Sequence, residues 1–206
     1  MASDVPMFPL GTVLVPGAYL PLHVFEPRYR ALVEACLEGD HEFGVALIER
    51  GSEVGGGDTR FATGCMARIV EAVRVDDGRY AIGTVGVRRV RILRWLPDAP
   101  YPRAEVEDWP DPAPGPDASA VVERVVPVLR RVLALSSELG TAVAPATVSL
   151  PDEPLAAGYE MSALAPVGPL DALALLAAPT HEARLATLGE LLDEVASELA
   201  TRLAGG

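Results

Sequence analysis

Cys36 and His41 lie close in sequence, a nucleophile with a base nearby, and thiolate attack is the chemistry they would offer. Cys36, however, falls on the apolar side of a helical repeat with Tyr29, Leu32, Val33 and Leu37, where a buried thiol is inert. No serine occupies a Gly-x-Ser-x-Gly elbow, and no trio of nucleophile, base and orienting group emerges. His23, His41 and His181 have no ligand spacing with one another or with Cys36 and Cys65. Neither a metal nor a cofactor is expected. The two cysteines read as small buried hydrophobes rather than a bridge.

An absence is more informative than these candidates. All 17 basic residues are arginine, and there is no lysine. A P-loop needs lysine to reach the β- and γ-phosphates, and a Ser-Lys peptidase dyad needs a lysine that gives up its proton near neutral pH. Arginine stays protonated under those conditions. The glycine-rich run from Gly51 to Gly57 follows a strand and leads to another strand, so no helix N-terminus is present to hold a phosphate. It is expected to be a flexible loop.

Arg88, Arg89, Arg91 and Arg94 concentrate positive charge on one strand and raise the question of RNA. The rest of the composition opposes it. Net charge is −12, with 17 acids against 12 arginines up to Asp111 and 12 against 5 beyond it, and only 5% of residues are aromatic. Phosphate contacts release counterions in an attractive field, which this chain does not provide. Arg88 and Arg91 are expected to pair across strands with Glu105 and Glu107.

Positioning these side chains calls for two kinds of architecture. The first half is strand-rich: short β-prone pieces punctuated by proline precede a helix opened by Glu26-Pro27 and stopped at Gly39. Phe43 to Glu49 reads as a buried strand, and Cys65 to Val75 as a long one. A turn at Asp76-Asp77-Gly78 leads to a partner over Arg79 to Thr84, followed by strands over Val87–Trp95 and Tyr101–Glu107. Gly83 and Gly86 are expected to mark a bulge or a barrel corner. Such strands with one early helix fit a small, partly closed β-barrel. Residues 109–117 are a proline-rich linker, held extended by alternating prolines. Beyond it, Ala118–Leu139 (with Pro127 as a kink), Glu153–Leu164, Leu170–Ala177 and Thr180–Leu203 read as helices of a small bundle, with Thr180 as an N-cap. The fold class is therefore α+β: a barrel over 1–108, the linker, and a helical subdomain over 118–206.

The order of residues Phe8 to Tyr29, FPLGTVLVPG then YLPLHVFEPRYR, resembles the opening of the Lon N-terminal domain. A second block continues it: Gly64-Cys65-Met66-Ala67-Arg68-Ile69-Val70-Glu71, Asp77-Gly78-Arg79-Tyr80, and Gly86-Val87-Arg88-Arg89-Val90-Arg91-Ile92. The resemblance implies a PUA-like barrel and, in the helical half, only a similar rhythm. Without lysine, neither the ATPase nor the peptidase of full-length Lon resides in this stretch of sequence.

The implied function is a non-catalytic module that recognises unfolded or flagged polypeptide, with a protease as a further partner and an adaptor or regulatory role. Its contact residues would be Phe8, Leu14, Tyr19, Leu20 and Phe25, each of which also suits a core. Pro9, Leu10, Pro16, Gly17, Pro21, Glu26, Pro27, Arg28 and Tyr29 are the motif's structural residues. Glu26 is expected to accept backbone N–H bonds as a helix cap and Arg28 to reach a carboxylate elsewhere in the barrel. RNA binding through the arginine strand, a small hydrolase, and a scaffold for a fixed partner remain the alternatives. With 50% apolar and 22% charged residues, no membrane-length apolar run and no signal-like start, the expectation is a soluble cytoplasmic protein.

Overall fold

Proline and glycine divide the first half into strands, and long-range pairing then closes those strands on one another. The computed structural model describes residues 3–51, 59–75 and 78–205. They form two compact units, Met1–Pro110 and Asp111–Gly206.

The first unit contains β1 (Ser3–Leu10), β2 (Tyr19–Val24), α1 (Pro27–Glu38), β3 (Glu42–Arg50), β4 (Thr59–Arg74), β5 (Tyr80–Leu96) and β6 (Arg103–Asp108). The sheet order is β2-β5-β4-β3-β1-β6, and a further β5–β6 pairing joins the ends of five strands into a ring, with β2 attached outside on β5. β1 runs parallel to β3, with Phe8 beside Val45, and antiparallel to β6. Residues from all five ring strands, among them Met7, Ala46, Met66, Val90, Ala104 and Val106, form the cluster inside the ring. A larger cluster packs α1 through Tyr29, Leu32, Val33 and Cys36 against Phe8, Phe43, Val45 and Ile82.

Two corrections concern strand limits. The pieces expected over Arg79–Thr84 and Val87–Trp95 are one continuous strand, β5. Its bends sit at register shifts against β4, where Val87 is extra on β5 and Val70 is extra on β4. Gly86 is required at the first bend, because a Cβ there would lie 2.1 Å from the Val15 carbonyl oxygen. The strand expected after the glycine-rich run and the one expected over Cys65–Val75 are likewise one continuous strand, β4, which begins at Thr59. Most of the run read as a glycine loop (52–58) and Asp76-Asp77 of the hairpin turn lie outside the described residues.

The second unit has α2 (Ala118–Glu138), α3 (Pro154–Leu164), α4 (Pro169–Ala177) and α5 (His181–Ala204). Their limits fall within a residue of those expected. Thr180 caps α5, its hydroxyl accepting from the Ala183 N–H at 3.1 Å. Leu129, Val132, Leu133, Leu185, Leu188 and Leu192 fill the bundle. Arg184 is fully buried: it donates to Asp111 Oδ1 (2.9 Å), the Tyr159 hydroxyl (2.9 Å) and the Leu175 carbonyl (3.0 Å). Tyr159 in turn donates to Asp111 Oδ2 at 2.5 Å. From Trp109 to Gly115 the proline-rich segment is neither helix nor strand. Within it Trp109 is fixed to the first unit by its N–H bond to the Arg89 carbonyl, and Asp111 to the second by Arg184.

Candidate polypeptide-binding face

β2 reads Tyr19-Leu20-Pro21-Leu22-His23-Val24, and period-two alternation sends Leu20, Leu22 and Val24 towards the core and Tyr19, Pro21 and His23 outward. Across the sheet, His23 stands beside Ala81 and Ala81 beside Val73; Pro21 stands beside Gly83 and Gly83 beside Glu71. Directly opposed residues share a face. The outside of β2-β5-β4 thus carries Tyr19 (59% exposed), Pro21 and Val73 (53%), with Phe25 (53%) and Val75 (41%) at one end, among the polar His23, Glu71 and Arg68, the last across Val85 from Tyr19. Tyr19 lies over Gly83, where a Cβ would come within 2.5 Å of its hydroxyl.

His23, Val24 and Phe25 line two grooves. One, of about 220 Å³, lies between His23, Val24, Phe25, Val75, Arg79, Tyr80 and Ala81. The other, of about 180 Å³, is bounded by Phe8, Leu10, Tyr29, Glu26 and the stretch from Pro21 to Phe25. Its floor is the Phe8–Tyr29 stack, with centroids 4.0 Å apart and rings within 8° of parallel.

The five residues proposed from sequence as contacts therefore separate. Tyr19 and Phe25 are exposed, Leu20 is half-buried against the core, Phe8 contributes to a groove floor, and Leu14 is interior. Leu14 drops out of the candidate surface because its side chain is enclosed by the α1 cluster. Val73 and Val75 join it; their place beside β2 depends on the β4–β5 register, which composition does not reveal.

The motif's other residues are structural. Pro9 lies in β1 beside Ala46, Leu10 is core, and Pro21 lies in β2. Pro16-Gly17 turns the chain, with Gly17 at φ +83° and its N–H on the Gly86 carbonyl. Pro27 begins α1 and Tyr29 stacks on Phe8. Glu26 differs from expectation: its side chain caps no backbone N–H, and instead accepts from Arg28 Nε at 3.2 Å. Arg28 is thereby held beside its own neighbour, since two residues bracketing Pro27 meet without any chain rearrangement.

The arginine strand is also resolved differently. Arg88 pairs with Glu42 (2.6 Å) and Asp108 (2.8 Å), not with Glu105 or Glu107. Arg94 takes Glu105. Arg91 and the buried Arg89 both face the Trp109 ring, 4.2 and 4.3 Å from its centroid. Glu42, 7% exposed, also accepts from Arg68 at 2.7 Å. Cys36 donates to the Glu42 carbonyl and is buried, while His41 is exposed, so the two form no dyad. Burial pushes the Cys36 and Cys65 thiols up to about 12.

The model of the substrate-binding domain of ATP-dependent protease La (Lon) matches residues 4–194. The chain belongs to the Lon substrate-binding domain family. A Lon protease 2 of Herpetosiphon aurantiacus is 33% identical over 107 residues, and one of Myxococcus xanthus is 31% identical over 105. Each match covers 50% of this chain and 13% of the relative, so the chain spans only a small part of the Lon proteases it resembles. Among solved structures, a Lon N-terminal domain protein from Xanthomonas campestris is 27% identical at a TM-score of 0.66, covering 90% of this chain and 96% of that one. The N-terminal domain of a Mycobacterium avium complex Lon protease shares the fold, with a TM-score of 0.68 at 18% identity over 93% of this chain and 99% of that one. The α+β reading, a Lon-type barrel followed by helices, is thus the fold. Among the described residues no helix is long and apolar enough to cross a membrane.

Proposed function

We infer that this chain is a non-catalytic recognition module that binds unfolded or flagged polypeptide and serves proteolysis as an adaptor or regulator, in the cytoplasm and without ATP. The observation that carries the reading is the apolar outer face formed by Tyr19, Phe25, Val73 and Val75 around β2. Exposed apolar surface gathered in one place marks an interaction site, and the family is named for substrate binding. Further support is chemical: the sequence has no lysine for a P-loop or a Ser-Lys dyad, and both cysteines are buried with raised thiol pKa values. The strand arginines that suggested RNA are engaged by Glu42, Asp108, Glu105 and Trp109.

Reduced, carboxymethylated α-lactalbumin, which stays unfolded, is a suitable client. It should bind the intact chain, and Tyr19→Ser with Phe25→Ser should weaken binding about tenfold or more without lowering the melting temperature. Burying apolar area of two aromatic side chains supplies an effect of that size at about 25 cal/mol per Å² before ordering costs. Undiminished binding by the double variant would move the site off this face.

A further inference from the structure

The mode of binding follows from the edge of β2 and rests on the client-binding reading above. Among the described residues, β2 pairs with β5 and with no other strand. The Ala18 carbonyl accepts the Gly86 N–H, so counting by two aims the backbone groups of Leu20, Leu22 and Val24 at β5. Those of Tyr19, Pro21 and His23 point away from it. Pro21 fits that arrangement because it has no N–H to give a ladder and is tolerated at an edge. It also blunts the edge against prolonged pairing between copies of the chain.

The groove floored by Phe8 and Tyr29 contains no residue of β5 and so follows the free side of β2. Apolar side chains line it except at His23 and at Glu26, the one carboxylate among the described lining residues, whose Oε2 accepts from Arg28 Nε at 3.2 Å. The first part of the chain, up to Asp111, is acidic overall. An edge with two outward N–H groups and three outward carbonyls, beside an apolar slot ending in a carboxylate that already holds Arg28, matches an extended backbone carrying a bulky apolar residue and a nearby cation that joins Arg28 at Glu26, as Arg68 and Arg88 share Glu42.

We propose that β2 takes a client segment as an added strand, seating one bulky apolar side chain on the Phe8–Tyr29 stack with a lysine or arginine of the client directed to Glu26. The ligand class is therefore extended, β-prone, apolar-basic polypeptide, selected partly through its backbone.

The probe is a blocked nonapeptide of alternating Val and Thr with a central Phe and a Lys near each end, read by fluorescence anisotropy on the full chain. Two versions N-methylated at alternate residues cover both registers, and at least one should bind about tenfold more weakly, the effect of losing two hydrogen bonds. Replacing its Lys residues with Glu should weaken binding further, and Glu26→Lys should reverse that preference. His23→Pro removes an outward N–H at an exposed position and should reproduce the N-methylation loss. Amide exchange at Tyr19 and His23 should slow when the peptide binds. If both N-methylated peptides bind like the parent, strand addition is wrong even where His23→Pro fails to fold. Carboxymethylated lactalbumin runs in parallel: its binding with no N-methylation effect overturns strand addition alone, and no binding of either ligand overturns the client reading with it.

Discussion

Glu42 places a nearly enclosed carboxylate where β3, β4 and β5 meet, tying Arg68 to Arg88. Both arginines remain half-exposed, so water screens the pair, and the charge-assisted hydrogen bonds are the better measure of its worth. Glu42→Gln should cost about 1.5–3 kcal/mol in urea unfolding, and a neutral result would mean that Arg68 and Arg88 find equivalent partners in solvent. The thiols give a pH prediction. Burial raises Cys36 and Cys65 from 9.0 to about 12, with Asp40 adding to the shift at Cys36. The unfolded chain therefore loses these protons first, so their contribution to stability is intact below pH 9 and is lost as pH climbs towards 12. Thiol reagents at neutral pH should label the chain only after denaturation; rapid native labelling would contradict the burial. The inert character of Cys36 was legible from its helical repeat. The partners of Glu42 were not, because they are 26 and 46 residues away in sequence.

Elements defined by local signals could be read directly. Thr180 and Glu26-Pro27 mark helix starts, and the leucine repeat of α5 specifies its buried face. A partly closed barrel was expected, but the pairings that close it could not be read, because β1 pairs in parallel with β3 and β5 meets β6 through contacts that no local pattern encodes. The candidate face was half legible. Alternation in Tyr19–Val24 already separates Tyr19 from Leu20, whereas Val73 and Val75 acquire meaning only from register. In the helical unit, Arg184 is the element-scale test. Arg184→Met would leave the Asp111 carboxylate nearly enclosed without its cation and should destabilise by about 3–5 kcal/mol. Loss of under 1 kcal/mol in calorimetry would show that water replaces the guanidinium.

At the scale of the whole molecule, the contacts that fix Trp109 and Asp111 lie within different units, which supports separate folding on either side of Pro110. Residues 1–110 expressed alone should be soluble and show β-type circular dichroism; an insoluble product would make the barrel dependent on the helices. The −12 charge bears on what the intact chain binds. Apolar capture of an unfolded client depends weakly on salt, whereas nucleic-acid binding loses orders of magnitude as salt rises. The most direct measurement is a side-by-side titration of carboxymethylated lactalbumin and single-stranded RNA against the intact chain from 50 to about 500 mM salt, a range over which phosphate-driven binding collapses. Client binding that changes by less than about threefold, with negligible RNA affinity, is the predicted result. Tight RNA binding that collapses with salt, alongside no affinity for the unfolded client, would contradict the account and return function to the strand from Arg88 to Arg94.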